Sequence, residues 1–199
     1  MSVEPNRAEF VGLLRQTGRA GIESVIAALD KLGFFAAPAS TRFHGAEPGG
    51  LMAHSLAVYR QAMAVRKVEI ELCPSVEAKL PVDSVTLVAL LHDVCKADIY
   101  RQVEKFRKDA NNQWEKYLTY ATDYSDFPMG HGEKSVIRLL QWGLQLTDDE
   151  LLAIRWHMQA WDLADSYEAK GCFSAAGDKC PLLSVLIAAD GLASRIQGI

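Results

Sequence analysis

The sequence has little of what usually assigns a small protein to a functional class. No apolar run approaches the ~20 residues of a membrane span, and the first residues, MSVEPNRAEF, lack the basic and then apolar order of a signal peptide. Basic residues are not in excess: 21 Lys and Arg stand against 25 Asp and Glu, which argues against a surface that coats extended nucleic acid. The four cysteines form no CxxC pair, so neither a zinc knuckle nor a disulfide framework is indicated. We therefore expect a cytoplasmic protein with reduced thiols and no membrane partner.

Hydrophobic residues make up 49% of the 199 residues, which is enough to bury the core of a single domain. We expect residues 1–48 to form two short helices and a loop, and residues 49–198 to form the core. Apolar residues recur at helical spacing in most segments, which predicts an all-α fold. Helices are expected over RAEFVGLLRQ, IESVIAALDKLG, residues 51–71, VTLVALLHDVCK, EKSVIRLLQWGLQL, TDDELLAIRWHMQAW and a last segment that begins at Pro181.

Caps and loops complete the predicted pattern. Asp83 or Ser84 is placed to cap the helix over VTLVALLHDVCK, and Thr147 with Glu150 stands in capping-box register. Loops are expected over residues 41–50 and 166–179, both of which contain glycines.

The helical pattern stops at about residues 102–121. The segment VEKFRKDANNQWEKYLTY alternates loosely around two asparagines, which predicts a small β-hairpin inserted into the helical fold. Its basic residues lie between aromatic ones, an arrangement that can cradle a nucleotide by charge and stacking. A hairpin that packs its aromatic residues inward is the interpretation favoured here.

Titratable residues interrupt three segments that otherwise have core composition. His92 and Asp93 lie in VALLHDVCK, His157 lies in LLAIRWHMQAW, and Asp190 lies in LLSVLIAADGLAS. A buried carboxylate needs a compensating charge or hydrogen bonds, because its burial alone is very costly. A shared cation would satisfy all four groups, since imidazoles and carboxylates are usual ligands of Mn, Fe, Co, Ni and Zn. The sequence therefore predicts a metal site.

Two further histidines fit the same site. His54 follows GGLMA at the start of the long helix, and His131 lies between two glycines in PMGHGEK, where the backbone can come close to a neighbour. A single histidine in a helix is usually an ordinary core or surface residue. Four of the five histidines of the chain then belong to one predicted cluster.

The order of these residues resembles that of the HD-domain metal-dependent phosphohydrolase superfamily. The matching elements are His54 in GGLMAHSL, the pair His92 and Asp93 in LLHDVCK, and Asp190 in IAADGLAS. The same segments resemble the HD domain of bacterial 3′ to 5′ exoribonucleases and related stand-alone HD proteins. Those exoribonucleases also carry an amino-terminal OB-type nucleic-acid-binding domain, for which the ~50 helical residues before the motif are too few. Processive RNA degradation is therefore not expected.

The resemblance implies an HD-domain helical bundle and a role for each residue. One divalent metal would be held by His54, His92, Asp93 and Asp190, a second by His131 and His157, and Asp93 would bridge the two. Lys96 resembles a lysine that contacts substrate phosphate in the His-Asp-x-x-Lys pattern, so Asp93 and Lys96 are the expected catalytic residues. Further substrate contacts are expected from residues near the ligands, namely Arg42, His44 and Arg155, whereas Glu133 and Lys134 are expected to be surface residues at a helix start.

The expected function is hydrolysis of a phosphomonoester or phosphodiester in a nucleotide or short phosphodiester by metal-activated water. Two alternatives stay open: a dinuclear-iron HD oxygenase, which the same six ligands would serve, and a non-catalytic HD nucleotide-binding module. Lys96 and the basic hairpin favour phosphate chemistry. The metal, whether one or two ions bind, and the oligomeric state stay open, because mixed His and carboxylate sites accept several transition metals.

Overall fold

The computed structural model describes residues 3–43, 45–159 and 166–199. These residues form a mainly helical fold with one two-stranded antiparallel sheet, as the sequence predicts. Short 3-10 turns cover Phe34–Ala36 and Pro74–Lys79, and a π-helical turn covers Ala193–Gln197. The regular elements are α1 (Val3–Gln16), α2 (Ile22–Leu32), α3 (Gly50–Leu72), α4 (Val82–Leu91), α5 (Lys96–Ile99), β1 (Tyr100–Lys108), β2 (Trp114–Thr122), α6 (His131–Gln141), α7 (Asp148–Trp156), α8 (Tyr167–Lys179) and α9 (Pro181–Leu192).

Helix α4 lies at the centre of the core and carries the candidate site at its end. It packs against α1, α3, α7 and α9, and every residue from 84 to 91 is buried. Its nearly continuous apolar sequence explains this, because a helix covered on all sides has no polar stripe to present to water. Full burial of each large aliphatic side chain contributes about 1.5–3 kcal/mol, so α4 is a rigid support for the residues that follow it.

Several predicted boundaries are confirmed, and others are wrong for identifiable reasons. The long helix, the Thr147 capping box and Pro181 in the first turn of α9 are as predicted. The helix expected to run through Lys96 ends at Leu91, and residues 92–95 form a turn before α5. Helix α6 stops at Gln141, because Gly143 adopts a left-handed conformation with φ of +85°.

Helix α4 begins at Val82 with Pro81 at its N-cap, so neither Asp83 nor Ser84 caps it. Both side chains are held elsewhere. The Ser84 hydroxyl donates to Glu150 at 2.6 Å, and Asp83 pairs with Arg19 at 2.7 Å. Arg19 also pairs with the fully buried Glu150 at 2.8 Å, so this polar network ties the turn after α1 to α4 and α7.

The loop predicted over residues 166–179 is a helix, α8. The Ser166 side chain accepts a hydrogen bond from the Ala169 amide at 3.0 Å and caps the first turn. Such a cap stabilises a helix by about 1 kcal/mol, which offsets much of the cost of one glycine inside it. The prediction of a loop from the glycines of this segment is therefore wrong.

The hairpin is longer than predicted and its outer aromatic residues are not packed inward. Its strands pair from Tyr100 with Thr122 to Lys108 with Trp114, and Asn112 has φ of +63° in the turn. Phe106 is 66% exposed and Trp114 is 70% exposed. The inward packing expected from the sequence is therefore wrong for these two rings.

All four cysteines are free thiols, as expected. Over the described parts of the chain, no single helix has the length and hydropathy of a membrane span. The segments Tyr167–Lys179 and Pro181–Gln197 reach both only when they are counted together across a bend of 100°.

Candidate metal centre

Asp93 is the centre of a cluster of titratable side chains from four parts of the chain. Its Oδ1 atom lies 2.5 Å from Nε2 of His131 and 3.4 Å from Nε2 of His157. Its Oδ2 atom lies 3.3 Å from Nε2 of His92 and 3.6 Å from Nε2 of His54. The four imidazoles therefore converge on one carboxylate, two on each oxygen.

These side chains form two groups with the composition of a metal site. His54, His92 and Asp93 form one group and Asp93, His131 and His157 the other, and the ligand atoms within each lie within 4.8 Å of one another. All five residues are buried except His131, whose side chain is 16% exposed. The structure thus brings together five of the six predicted ligands, and Asp93 belongs to both groups.

Main-chain oxygens fix the orientation of three of the imidazoles. Nδ1 of His54 lies 2.9 Å from a main-chain oxygen of Ile199, the last residue of the sequence, Nδ1 of His92 lies 3.0 Å from the Ala89 carbonyl, and Nδ1 of His157 lies 2.7 Å from the Ile154 carbonyl. These oxygens only accept, so Nδ1 must be the donor in each pair. In the neutral ring Nε2 then carries a lone pair directed at the cluster, which is the usual arrangement of histidine metal ligands.

Two buried nitrogens support a metal ion more directly. Nε2 of His92 and Nε2 of His157 are buried and make no hydrogen bond within the described residues. Buried polar atoms in proteins nearly always have a partner, and each exception requires an explanation. A cation between these nitrogens and Asp93 would supply the missing interaction, so the residues present fit a metal ion.

Asp190 lies at the edge of the cluster, with Oδ1 3.3 Å from Nε2 of His54 and a side chain that is 25% exposed. It comes from α9, so the first group can gain a second carboxylate. Burial acts to raise the pKa of Asp190, but its interactions with His54 and His92 hold the pKa well below its ordinary range. Asp190 is therefore an ionised carboxylate next to the first group.

The electrostatics of the cluster follow from one buried carboxylate among several cations. Burial acts to raise the pKa of Asp93, but Lys96, His92 and His131 hold that pKa well below its ordinary value. Burial acts to lower the pKa of His131, and Cys95 and Asp93 outweigh it and raise the pKa to about 10. Burial lowers the pKa of His157. Asp93 is thus ionised and His131 protonated in the ion-free protein.

A glycine allows α6 and α7 to meet at this point. A Cβ added at Gly132 would lie 2.2 Å from the Arg155 carbonyl oxygen and 2.8 Å from that of Ile154. Only glycine permits the first turn of α6 to approach the last turn of α7 so closely. The contact sets His131, at the start of α6, beside His157, just after α7.

A cavity of about 520 Å³ opens beside the cluster. Lys96, predicted to contact phosphate, lines this cavity, and its Nζ lies 2.5 Å from Oδ2 of Asp93. Burial acts to lower the pKa of Lys96, but Asp93 outweighs it and raises the pKa, so the side chain is an ammonium. His131, Tyr100 and Ser40 also line the cavity, which gives a small anionic molecule access to Lys96.

The other predicted substrate contacts lie in different places. Arg42 is exposed in the turn that follows Ser40, and His44 lies outside the described residues. Arg155 pairs with Glu133 at 2.7 Å and lies 4.0 Å above the ring of Trp156. It lines a separate groove of about 490 Å³ between α6 and α7, so the structure does not bring it to the cavity of Lys96.

For two residues that line the cavity, the prediction from the sequence is wrong or absent. Lys134 is 1% exposed, not a surface residue, because its ammonium pairs with Asp98 at 2.7 Å and Arg138 pairs with the same carboxylate at 2.9 Å. Cys95 is fully buried, lines the cavity and acts on the pKa of His131. Its position in HDVCK, directly after the predicted ligands, was the available signal.

Comparison of the chain with models of known families, with curated proteins and with solved structures gives no match. The case for a function therefore rests on the residues and their geometry.

Proposed function

We propose that the protein is a metal-dependent phosphohydrolase that cleaves a phosphate ester of a nucleotide or of a short phosphodiester. The observation that carries the proposal is the position of Asp93, which is shared by two groups of histidines beside a cavity lined by His131 and the ammonium of Lys96. The motif order that resembles the HD-domain phosphohydrolases supports the same chemistry.

The ligand assignment follows the two groups. His54, His92 and Asp93, with Asp190 beside them, would hold one divalent transition metal, and Asp93, His131 and His157 would hold a second. Such ions lower the pKa of bound water to about 7 and neutralise charge on phosphate oxygens. The main-chain oxygens that accept from the Nδ1 atoms hold three rings in the orientation that binding requires.

Lys96 gives the proposal its preference for phosphate. Its ammonium lies at the boundary between Asp93 and the cavity, where it can bind a phosphate oxygen of the substrate. A fixed positive charge in a partly dry site stabilises the additional negative charge that develops on those oxygens during transfer. Lys96 therefore favours phosphate chemistry, and oxygen chemistry is the alternative that the test distinguishes.

The test joins metal analysis to a substrate screen. Protein stripped with a chelator is reloaded with Mn, Fe, Co, Ni or Zn, the bound metal is counted by mass spectrometry, and hydrolysis is assayed with p-nitrophenyl phosphate, bis(p-nitrophenyl) phosphate, nucleotides, cyclic dinucleotides and short RNA. We expect bound metal and hydrolysis of at least one ester. Asp93→Asn should lose both, whereas Asp123→Asn, at an exposed carboxylate near the hairpin base, should keep both.

Two results would contradict the proposal. A folded protein that binds no transition metal after reloading would remove the metal centre. Oxygen consumption by the iron-loaded protein without hydrolysis of any phosphate ester would replace phosphohydrolase activity with the oxygenase alternative.

A further inference from the structure

The β-hairpin presents one face that is apolar, aromatic and exposed. In an antiparallel pair, directly opposite residues and every second residue along a strand share a face. The register therefore places Phe106, Lys108, Trp114, Lys116 and Leu118 on the same side, here called the outer face of the hairpin. Phe106, Trp114 and Leu118 are 66%, 70% and 61% exposed, so three large apolar side chains lie together in contact with water.

The exposure of these apolar side chains requires an explanation, because side chains on the opposite face of the hairpin are less exposed to water. Val103, Tyr117, Thr119 and Ala121 alternate with the outer face and are all partly buried. The inner side is therefore partly covered, whereas Phe106, Lys108, Trp114, Lys116 and Leu118 on the outer side are all exposed. Single exposed apolar residues are ordinary, but a group of them often marks a binding site.

The charge of the hairpin indicates what kind of molecule would bind there. The outer face carries Lys108 and Lys116 against Glu104, a net charge of +1, whereas the whole chain has a net charge of −4. Lys116 is paired with Glu104 at 2.6 Å, and Nζ of Lys108 lies 5.8 Å from the centre of the Trp114 ring. An anionic ligand with planar groups complements this combination of cations and exposed rings.

The outer face also leads to the candidate metal centre. Tyr100, the first residue of β1, belongs to the same alternating set as Phe106 and lines the cavity with Lys96 and His131. Phe106 is six residues further along β1, or about 20 Å at the usual rise of a strand. That span is of the order of the shortest single-strand binding sites, which hold about four nucleotides.

We propose that the outer face of the hairpin binds a short single-stranded oligonucleotide, with bases stacked on Phe106 and Trp114 and its backbone near Lys108. The strand would continue past Tyr100 so that one phosphodiester reaches the cavity at Lys96. The inference rests on the proposed function for the last step alone, because binding at the hairpin requires neither metal nor hydrolysis. It restricts the substrate from phosphate esters in general to short single strands.

The binding experiment uses chelator-treated protein and dye-labelled hexauridylate or hexathymidylate, with fluorescence anisotropy as the readout. Phe106→Ala and Trp114→Ala should each weaken binding by at least about fivefold, since one stacked base contributes that much or more. Trp114→Phe, which keeps an aromatic ring, should restore most of the affinity. Lys105→Gln is the matched charge control, because Lys105 is exposed on the opposite face of the same strand; it should weaken binding less than Lys108→Gln.

The hydrolysis experiment separates the inference from the proposed function. With metal-loaded protein, the double variant Phe106→Ala, Trp114→Ala should hydrolyse bis(p-nitrophenyl) phosphate at the original rate and the hexanucleotide at least tenfold more slowly. Hydrolysis of the small ester with no oligonucleotide binding to the chelated protein would overturn the inference and leave the proposed function intact. Oligonucleotide binding without hydrolysis of any ester would support binding at the hairpin and contradict the proposed function.

Other occupants of the face give distinguishable results. If sedimentation shows a dimer that the double variant abolishes, while neither oligonucleotide binds, the face joins two copies of the chain and the inference is wrong. Equal affinities for the original protein and both alanine variants would also overturn it. Both rings are exposed, so equal thermal midpoints should verify that the variants are folded.

Discussion

Gly132→Ala tests the geometry of the candidate metal centre without removing any ligand. The added methyl carbon would lie 2.2 Å from the Arg155 carbonyl oxygen, far inside an ordinary contact distance. To restore that distance, α6 and α7 must separate by roughly 1 Å at this point. His131 begins α6 and His157 follows α7, so the separation acts directly on the group formed by Asp93, His131 and His157.

The magnitudes follow from this displacement. The steric conflict should lower the free energy of unfolding by about 1–3 kcal/mol. A misplacement of ~1 Å among reacting groups costs on the order of 10² in rate. The group formed by His54, His92 and Asp93 does not include α6, so the variant should lose metal from the second group and keep it at the first.

The assay compares metal content, activity and urea unfolding with two glycines in open space. A Cβ added at Gly12 in α1 or at Gly171 in α8 meets no atom within 4 Å, so Gly12→Ala and Gly171→Ala should leave activity unchanged. Each should also stabilise the protein by about 0.5–1 kcal/mol, because alanine is the better helix former. A Gly132→Ala protein with full metal content and full activity would refute the assigned role of the α6–α7 contact.

Three further predictions concern single side chains. Lys96→Met should keep the bound metal and lower kcat by about 10²-fold or more, because it removes the positive charge that would contact the substrate phosphate. An unchanged kcat in rate assays, or loss of metal in mass spectrometry, would contradict the role of Lys96. Arg19→Met should lower the free energy of urea unfolding by about 3 kcal/mol, because the buried carboxylate of Glu150 loses its cationic partner. Arg7→Met, which breaks an exposed ion pair with Asp30, should lower the free energy of unfolding by less than about 1 kcal/mol. The pKa of His131 is raised from 6.5 to about 10 in the ion-free fold, so the stability that its protonation contributes is fully present below pH 6.5 and lost as the pH rises through 10. The urea midpoint of the chelated protein should therefore fall between these pH values. An equal fall in the urea midpoint of a His131→Asn variant would disprove the assignment to His131.

The sequence predicts the ligands of the candidate site better than it predicts their surroundings. His92, Asp93 and His157 are conspicuous because burying a titratable group in an apolar segment is costly, and each of them can be recognised from its own segment of sequence alone. The burial of Lys134 is not visible in this way. Its partner Asp98 is 36 positions away and belongs to a different element, so only the fold brings the two charges together.

The same distinction holds for the elements themselves. Helix α4 follows from composition alone, since eight consecutive buried residues leave a nearly continuous apolar sequence. The orientation of His54 depends on a main-chain oxygen of Ile199, and every residue has a main-chain oxygen, so no sequence pattern marks the one that accepts. The exposure of Phe106 and Trp114 likewise depends on which side of the hairpin the rest of the chain covers.

Charge balance in the ion-free cluster determines how a metal would enter it. Asp93 and Asp190 are ionised, while Lys96 and the protonated His131 supply two positive charges. In the first group, Nδ1 of His92 donates to the Ala89 carbonyl, so Nε2 is the nitrogen directed at the cation. His131 must lose the proton that it shares with Asp93 before Nε2 can bind a metal, and its raised pKa opposes that loss. Metal affinity at the second group should therefore rise as the pH increases toward 10.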